Sequence, residues 1–451
     1  MSVEISKSGL LAARVPRYTS YPTAPHFHSG IDQALYRRWL SEIPPGTPLS
    51  LYLHIPFCDT LCWFCGCHTT VVNQYAPVKD YCGLLVREIA LVSQALGTKQ
   101  PVRHIHFGGG SPTMLAVGDI ERLADCLKTH FGIAPCAEFA VEVDPRGLTQ
   151  SCVDAFARAG LSRASIGLQD CDAAVQKAIN RVQTKEETLR ATIMLRKAGV
   201  KSINLDLLYG LPKQTLDSWE QTLRFAVELA PDRLAVFGYA HVPSFKKHQA
   251  LIPEHLLPDL KTRLRQVEMA TEILCAYGYV AVGLDHFAKP EDDMAKAMRH
   301  GDLARNFQGY TTDNASTLIG IGASAIGSLP QGYVQNAPAV PAYRALLDRD
   351  QLPVVRGVAL SPEDRLRRYV IERLMCDLEV DLSHACQQFG ASPSLFRDAL
   401  SELAGLERIG AVHLTDNRVS ISRQWRAVAR LVCAAFDAYL VDSPAGHSMA
   451  V

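Results

Sequence analysis

Six short apolar runs, each separated from the next by a longer stretch, narrow most sharply what this 451-residue chain can fold into. The runs fall at residues 49–56, 102–107, 138–143, 163–168, 202–207 and 234–239, with helix-like segments between them at 79–96, 117–131, 150–159, 185–198 and 215–230. Strand and helix alternating at this spacing predict right-handed βαβ crossovers and a parallel sheet. Six strands are two short of a closed eight-stranded barrel. Periodicity alone leaves a doubly wound open sheet as the alternative. If the strands are parallel, their C-terminal ends share one face, where a barrel carries its chemistry.

The remaining segments read differently. Residues 1–48 form an arm rich in Pro, Tyr, Ser and His, with one short helical candidate at 32–42. An α/β unit is expected over 49–330; its later part holds a helix at 259–277, a β-like run at 279–286 and the glycine-rich GIGASAIGS at 320–328. Residues 331–360 are expected to be a linker. Residues 361–451 show helices at 362–376 and 393–404, a hairpin around Asp416 and Asn417 and a helix from Gln424, a mostly helical, winged-helix-like tail. That tail mixes acids among its arginines, so packing rather than DNA binding is expected of it. Lysine plus arginine balance aspartate plus glutamate at 46 each, which gives no field for nucleic acid or membrane. No apolar run approaches the roughly 20 residues of a membrane helix, and the N-terminus lacks the pattern of a signal peptide. A cytoplasmic protein is expected.

The chemistry is concentrated in LHIPFCDTLCWFCGCHT, where Cys58, Cys62 and Cys65 follow the first strand at C-x3-C-x2-C spacing and Cys67 comes two residues later. Three thiolates from one loop suit an iron–sulfur cluster that keeps one iron open. Zinc stays open as an alternative, with Cys67 and His68 completing a donor set. A disulfide framework does not fit, since most of the other cysteines are scattered singly through a chain long enough to build a core.

Polar residues recur at the other strand ends. Gly108-Gly109-Gly110-Ser111 follows the second strand, Glu142 and Asp144 end the third, Gln169 ends the fourth, and Asp206 lies in the apolar fifth. Glycines let a backbone approach a ligand closely, although a tight turn explains a bare glycine run equally well. A lone glutamate at a strand end is more often an ion-pair partner. Asp206 requires a partner or a ligand, because an unpaired buried charge is costly; Arg181, after the fourth strand, is the expected partner. His54, His104 and His106 lie in or beside apolar runs and read as hydrogen-bonded core or rim residues, with His54 a supporting residue for the cysteine loop.

HIPFC followed by two further cysteines at this spacing resembles the radical S-adenosylmethionine superfamily, and within it the oxygen-independent coproporphyrinogen III oxidase family. RYTSYPTAPHF (17–27), YAHVP (239–243), DHF (285–287) and RNFQGYTT (305–312) extend the resemblance over nearly the whole chain. The resemblance implies an incomplete, laterally open (β/α)6 barrel and a 4Fe-4S cluster on Cys58, Cys62 and Cys65. It places Tyr52, Gly109, Glu142 and Ile326 at one S-adenosylmethionine. It places Phe64, Gly110, Ser111, Gln169, Arg181, Asp206 and Ala240 at a second. Ser111 stands where the family pattern has Thr and keeps the hydroxyl; Trp63 stands where Tyr is common and keeps the aromatic ring.

The implied activity is oxidative decarboxylation of two propionates of coproporphyrinogen III to vinyl groups by a 5′-deoxyadenosyl radical, with no side chain acting as acid or base. Arg14, Arg17 and Arg305 lie in segments suited to holding propionates. The implied partners are an electron donor such as a flavodoxin or ferredoxin, and the implied state is a monomer. Removing residues 1–30 is expected to cost the fold little. Two other classes remain at this point: a haem-binding protein on the same barrel, and a zinc-stabilised binding module. The family's haem-handling relatives generally lack the tyrosine-rich arm and the cysteine at position 67.

Overall fold

The computed structural model describes residues 13–440. Its six parallel strands are β1 (Leu49–Ile55), β2 (Pro101–Gly109), β3 (Gly132–Val143), β4 (Arg163–Gln169), β5 (Ser202–Tyr209) and β6 (Arg233–Gly238). They pair in sequence order. Alternation sets their faces: Leu49, Leu51, Leu53 and Ile55 of β1 are all buried, while Ser50, Tyr52 and His54 lie on the opposite face. The helices Ala76–Leu96, Val117–His130, Gln150–Ala159, Lys185–Lys197 and Leu216–Glu228 fill the crossovers. Thr149, Thr184 and Thr215 cap three of them by accepting first-turn N–H groups, which satisfies donors that a helix start leaves unpaired. Leu85, Ile89 and Val92 on the first of these helices are fully buried. Each contributes about 1.5–3 kcal/mol relative to exposure.

Six further strands complete the sheet: β7 (Val280–Val282), β8 (His286–Ala288), β9 (Thr317–Ile321), β10 (Ile326–Leu329), β11 (Gly332–Asn336) and β12 (Val354–Ala359). The order is β12-β11-β10-β9-β1-β2-β3-β4-β5-β6-β8-β7. β9 is a seventh parallel strand, against β1, and the strands beyond β9 and β6 are antiparallel. β12 and β7 do not meet, so the barrel is incomplete and open at its side. Residues 279–286, expected as one run, form a hairpin, because Gly283 turns the chain at φ 54°. Residues 331–360, expected as a linker, contain β11, the helix Val340–Leu347 and β12, and so extend the sheet.

The C-terminal segment runs helix Pro362–Cys376, strand Glu379–Asp381, helices Leu382–Phe389 and Arg397–Arg408, then the hairpin Val412–Thr415 and Arg418–Ile421. The three strands form one small sheet, which gives the winged-helix arrangement. The helix Leu382–Phe389 went unread in the sequence; Asp381 caps it directly after the strand.

The arm differs from expectation. Tyr18, Tyr21, Phe27 and Trp39 are all buried. Tyr18 Oη donates to Asp437 at 3.0 Å, Ala438 N donates to Tyr21 Oη at 3.0 Å, and Arg430 donates to the carbonyls of Val15 and Pro16. The described part of the arm is thus packed into the core, so its loss is expected to cost more than the sequence suggested.

Candidate active site

The cysteine loop leaves the C-terminal end of β1 and is clasped from three sides. Asn180 Nδ2 donates to the Leu61 carbonyl at 2.9 Å, Lys246 Nζ to Cys67 O at 3.0 Å and Gln249 Nε2 to Phe64 O at 3.0 Å; His248 Nε2 is hydrogen-bonded to Cys65 O at 2.8 Å. Each of the three expected ligand sulfurs accepts a donor. Thr69 Oγ1 lies 3.2 Å from Cys58 Sγ, and Cys67 N lies 3.4 Å from Cys65 Sγ. The guanidiniums of Arg181 and Arg146 lie 3.6 and 3.8 Å from Cys62 Sγ. Donors and cations around sulfur favour thiolates. Burial pushes the Cys58 thiol up to about 11, the Thr69 hydroxyl pulls it down, and Cys65 and Cys62 push it up again. The Cys65 thiol is held low, foremost by its hydrogen bonds with Cys67. Three neighbouring sulfurs, each supplied with a donor, fit a multi-iron cluster.

Glu142 and Tyr52 lie beside this loop. Glu142 accepts from Gly109 N at 2.9 Å and pairs with His106 at 3.3 Å. Burial alone would raise its pKa; the bond and charge of His106, with the Gly109 amide, hold it below the usual range. Tyr52 Oη bonds His54 Nδ1 at 2.9 Å, and His54 Nε2 reaches the His68 carbonyl at 2.9 Å, linking strand β1 to the far end of the loop. Gly109, at φ 112°, must be glycine, since a Cβ there would overlap the His54 ring. Gly110 N and Ser111 N donate to Ile55 O and Phe57 O at 2.8 and 2.7 Å, which seats the glycine loop against the cysteine loop. The Ile326 backbone lies against Gly320, the register partner of Tyr52 on the neighbouring strand.

The second set is brought together in part. Gln169, in the left-handed region at φ 64°, and Arg181 both lie against Gly167. Phe64 packs with Val175, Ile179 and Tyr239, the residue before Ala240. Asp206 is not the partner of Arg181. Ser165 Oγ and Asn204 Nδ2 each donate to it at 2.8 Å, while Arg181 pairs with Asp144 at 3.2 Å and bonds Gly167 O at 2.8 Å. The reason is register: Asp206 pairs with Gly167 and points into the polar barrel interior, and Arg181 comes over the strand ends toward Cys62. Burial, with the Glu142 charge adding to it, raises the pKa of Asp206. Arg146, unread in the sequence, forms a 2.6 Å pair with Asp144; its only sequence signal is its place directly after EVDP.

Beyond the loop lies a cavity of about 710 Å³ that reaches from Cys67 and Ala240 to Asp285. Six arginines line it: Arg14 and Arg17 of the arm, Arg263, Arg305, and Arg426 and Arg430 of the C-terminal segment. Burial, and after it the charges of neighbouring arginines, lowers Arg17 and Arg430, the latter to about 10. Burial likewise lowers Arg263 and Arg426. Cations crowded together on semi-apolar walls, with Phe237, Tyr239, Phe287 and Phe307 between them, suit a bulky ligand carrying several carboxylates. Arg263, Arg426 and Arg430 were missed because single arginines on helical stretches read as solvated surface.

Known proteins agree with this geometry. A model of the radical SAM superfamily matches residues 52–226, and one of the HemN C-terminal domain matches residues 360–426. An oxygen-independent coproporphyrinogen III oxidase of Bradyrhizobium diazoefficiens is 48% identical over 438 residues, 97% of each chain. Another, of Paracoccus denitrificans, is 42% identical over 449 residues, 99% of each chain. The solved coproporphyrinogen III oxidase (HemN) of Escherichia coli, described as a radical SAM enzyme, aligns with a TM-score of 0.90 at 36% identity, covering 95% of this chain and 100% of that one. These matches take in the arm and the C-terminal segment and do not favour the haem-binding alternative. Loop, barrel, arm and tail together therefore make this chain a member of the oxygen-independent coproporphyrinogen III oxidase family within the radical SAM superfamily.

Proposed function

We propose that this protein decarboxylates two propionates of coproporphyrinogen III oxidatively to vinyl groups, giving protoporphyrinogen IX in haem biosynthesis. The observation that carries this reading is the six-arginine cavity that opens at the cysteine loop. When bound, the cluster and S-adenosylmethionine would supply a 5′-deoxyadenosyl radical able to remove a hydrogen atom from a propionate β-carbon; release of carbon dioxide and transfer of one electron to an acceptor would then leave a vinyl group. The chain's own residues hold, orient and shield. Cys58, Cys62 and Cys65 hold the cluster, with Arg146 and Arg181 balancing charge at Cys62. Tyr52, Gly109, Glu142 and Ile326 hold one S-adenosylmethionine, and Phe64, Gly110, Ser111, Gln169, Arg181, Asp206 and Ala240 a second. The arginines bind propionates and so bring a β-carbon to the radical, since placement is where enzymes gain much of their rate. Aromatic walls keep water away.

The chain then divides into a substrate-contacting arm (1–48), the barrel with its extension, which takes in the strands of 331–360 as well (49–360), and a C-terminal domain (361–451). The reading also proposes a monomer in the cytoplasm, reduced by a flavodoxin- or ferredoxin-like donor; no helix among the described residues is long and apolar enough to cross a membrane. Anaerobic incubation with coproporphyrinogen III, S-adenosylmethionine and a chemical reductant tests it: two carbon dioxide molecules per protoporphyrinogen are expected. A protein with intact iron content that leaves coproporphyrinogen unchanged would overturn it.

A further inference from the structure

Asp285 is out of place among the arginines. It is one of two carboxylates lining the cavity, and the other, Glu254, is largely exposed at its rim. Asp285 lies on the cavity floor in the turn between β7 and β8, where its carbonyl accepts Val236 N from β6 at 2.8 Å. Its side chain is fixed from beneath. His286 Nδ1 is 2.7 Å from Oδ1, and the imidazole is itself wedged edge-on against Phe237 and Tyr310. A carboxylate placed only to neutralise an arginine would form a close, forked pair with it. The ion-pair contact of Asp285 is with His286 instead, and Arg305 and Arg17 act on it from farther away. Burial alone would raise its pKa, yet His286 and those arginines hold it below the usual range, so it faces the cavity as an anion.

We propose, resting on the function given above, that Asp285 accepts the pyrrole N–H groups of the reduced tetrapyrrole, so that the cavity selects a porphyrinogen over the oxidised porphyrin. The two ligands share their side chains and differ in the ring, at the bridges and at the central nitrogens. Both carry four propionates for the arginines. A porphyrinogen has four pyrrole N–H donors joined through flexible saturated bridges, and these can turn toward one acceptor. A porphyrin is planar, keeps two N–H groups within its ring plane, and presents imine lone pairs that repel a carboxylate. The cavity has the complementary charge pattern, with cations contributed by the arm, the barrel extension and the C-terminal segment and one held anion on the floor.

The test compares anaerobic equilibrium binding of coproporphyrinogen III and coproporphyrin III to the full-length, cluster-loaded protein. Asp285→Asn should weaken coproporphyrinogen binding by about tenfold or more, the loss of charge-assisted hydrogen bonds, and leave coproporphyrin binding unchanged or tighter. Arg17→Gln should weaken both ligands alike, since the propionates are common to them. Equal weakening of both ligands by Asp285→Asn, or no weakening of either, would overturn the proposal. Failure of the unaltered protein to bind coproporphyrinogen would instead overturn the functional reading on which it rests. If Asp285→Asn loses iron, Asp285→Glu decides the question: the preference for the reduced ligand should survive because the charge survives, and its disappearance would contradict the proposal.

Discussion

Cys67 donates its backbone N–H to the Cys65 sulfur at 3.4 Å but carries no such donor of its own from Thr69, Arg146 or Arg181. That difference separates three proposed ligands from a neighbour. Serine at Cys58, Cys62 or Cys65 should abolish iron binding, whereas Cys67→Ser should retain it, as read by iron and sulfide analysis after anaerobic purification. Loss of iron from Cys67→Ser alone would mean that the ligand set is misassigned. Glu142 gives a second test. It is held ionised by His106 and Gly109 N, so Glu142→Ala should weaken S-adenosylmethionine binding by about 1–3 kcal/mol without loss of iron. Unchanged binding would make it merely a brace for the glycine loop. The cysteine loop was legible in the sequence because its spacing is a local feature, whereas Tyr52 and most of the weight on Glu142 came from the family resemblance. The partner of Asp206 was not legible, because Ser165 and Asn204 come from the same and the adjacent strand in a register that no spacing reveals.

At the scale of elements, the six strands and five crossover helices were legible in order and place, since each buries an apolar stripe of clear period, although β3 begins at Gly132, well before its expected start at 138. β9 was not legible: Thr317–Ile321 is short and glycine-bearing, and it becomes a strand only by pairing with β1, more than 260 positions earlier. The junction after it is secured by Glu88, fully buried on the helix Ala76–Leu96. Gly322 N donates to Glu88 at 2.7 Å and Asn336 Nδ2 at 2.6 Å, and Tyr343 Oη donates as well. Burial pushes its pKa up to about 7 against the pull of these donors. The unfolded carboxyl titrates near about 4.3, so the folded state binds this proton more tightly. Glu88's contribution is therefore full below that value and lost as pH rises through about 7. Thermal unfolding of the protein should show its melting temperature falling over that window, and Glu88→Gln should flatten the slope. An unchanged slope in the variant would assign the titration to another group.

For the whole molecule, arm and tail close one cavity between them. Tyr18, Tyr21 and Phe27 are buried, and Arg430, Asp437 and Ala438 tie the arm to the C-terminal segment. Deleting residues 1–30 should therefore cost on the order of 5 kcal/mol or more, at about 1.5–3 kcal/mol for each buried aromatic side chain. Denaturant unfolding would measure it; a loss below about 1 kcal/mol, less than one such side chain is worth, would mean that the arm is only draped over the surface. This dependence was hidden in the sequence, where the arm lacks periodicity and its aromatics find their partners far along the chain, Tyr18 and Tyr21 at the C-terminal segment and Phe27 against Tyr333. The central claim is that the cavity presents a propionate β-carbon to a radical made at the three-cysteine loop. Its most direct test is anaerobic turnover of coproporphyrinogen III deuterated at the propionate β-carbons, followed by mass analysis of the 5′-deoxyadenosine released. Deuterium should appear in the 5′-deoxyadenosine together with vinyl formation. Vinyl formation with unlabelled 5′-deoxyadenosine would contradict the account.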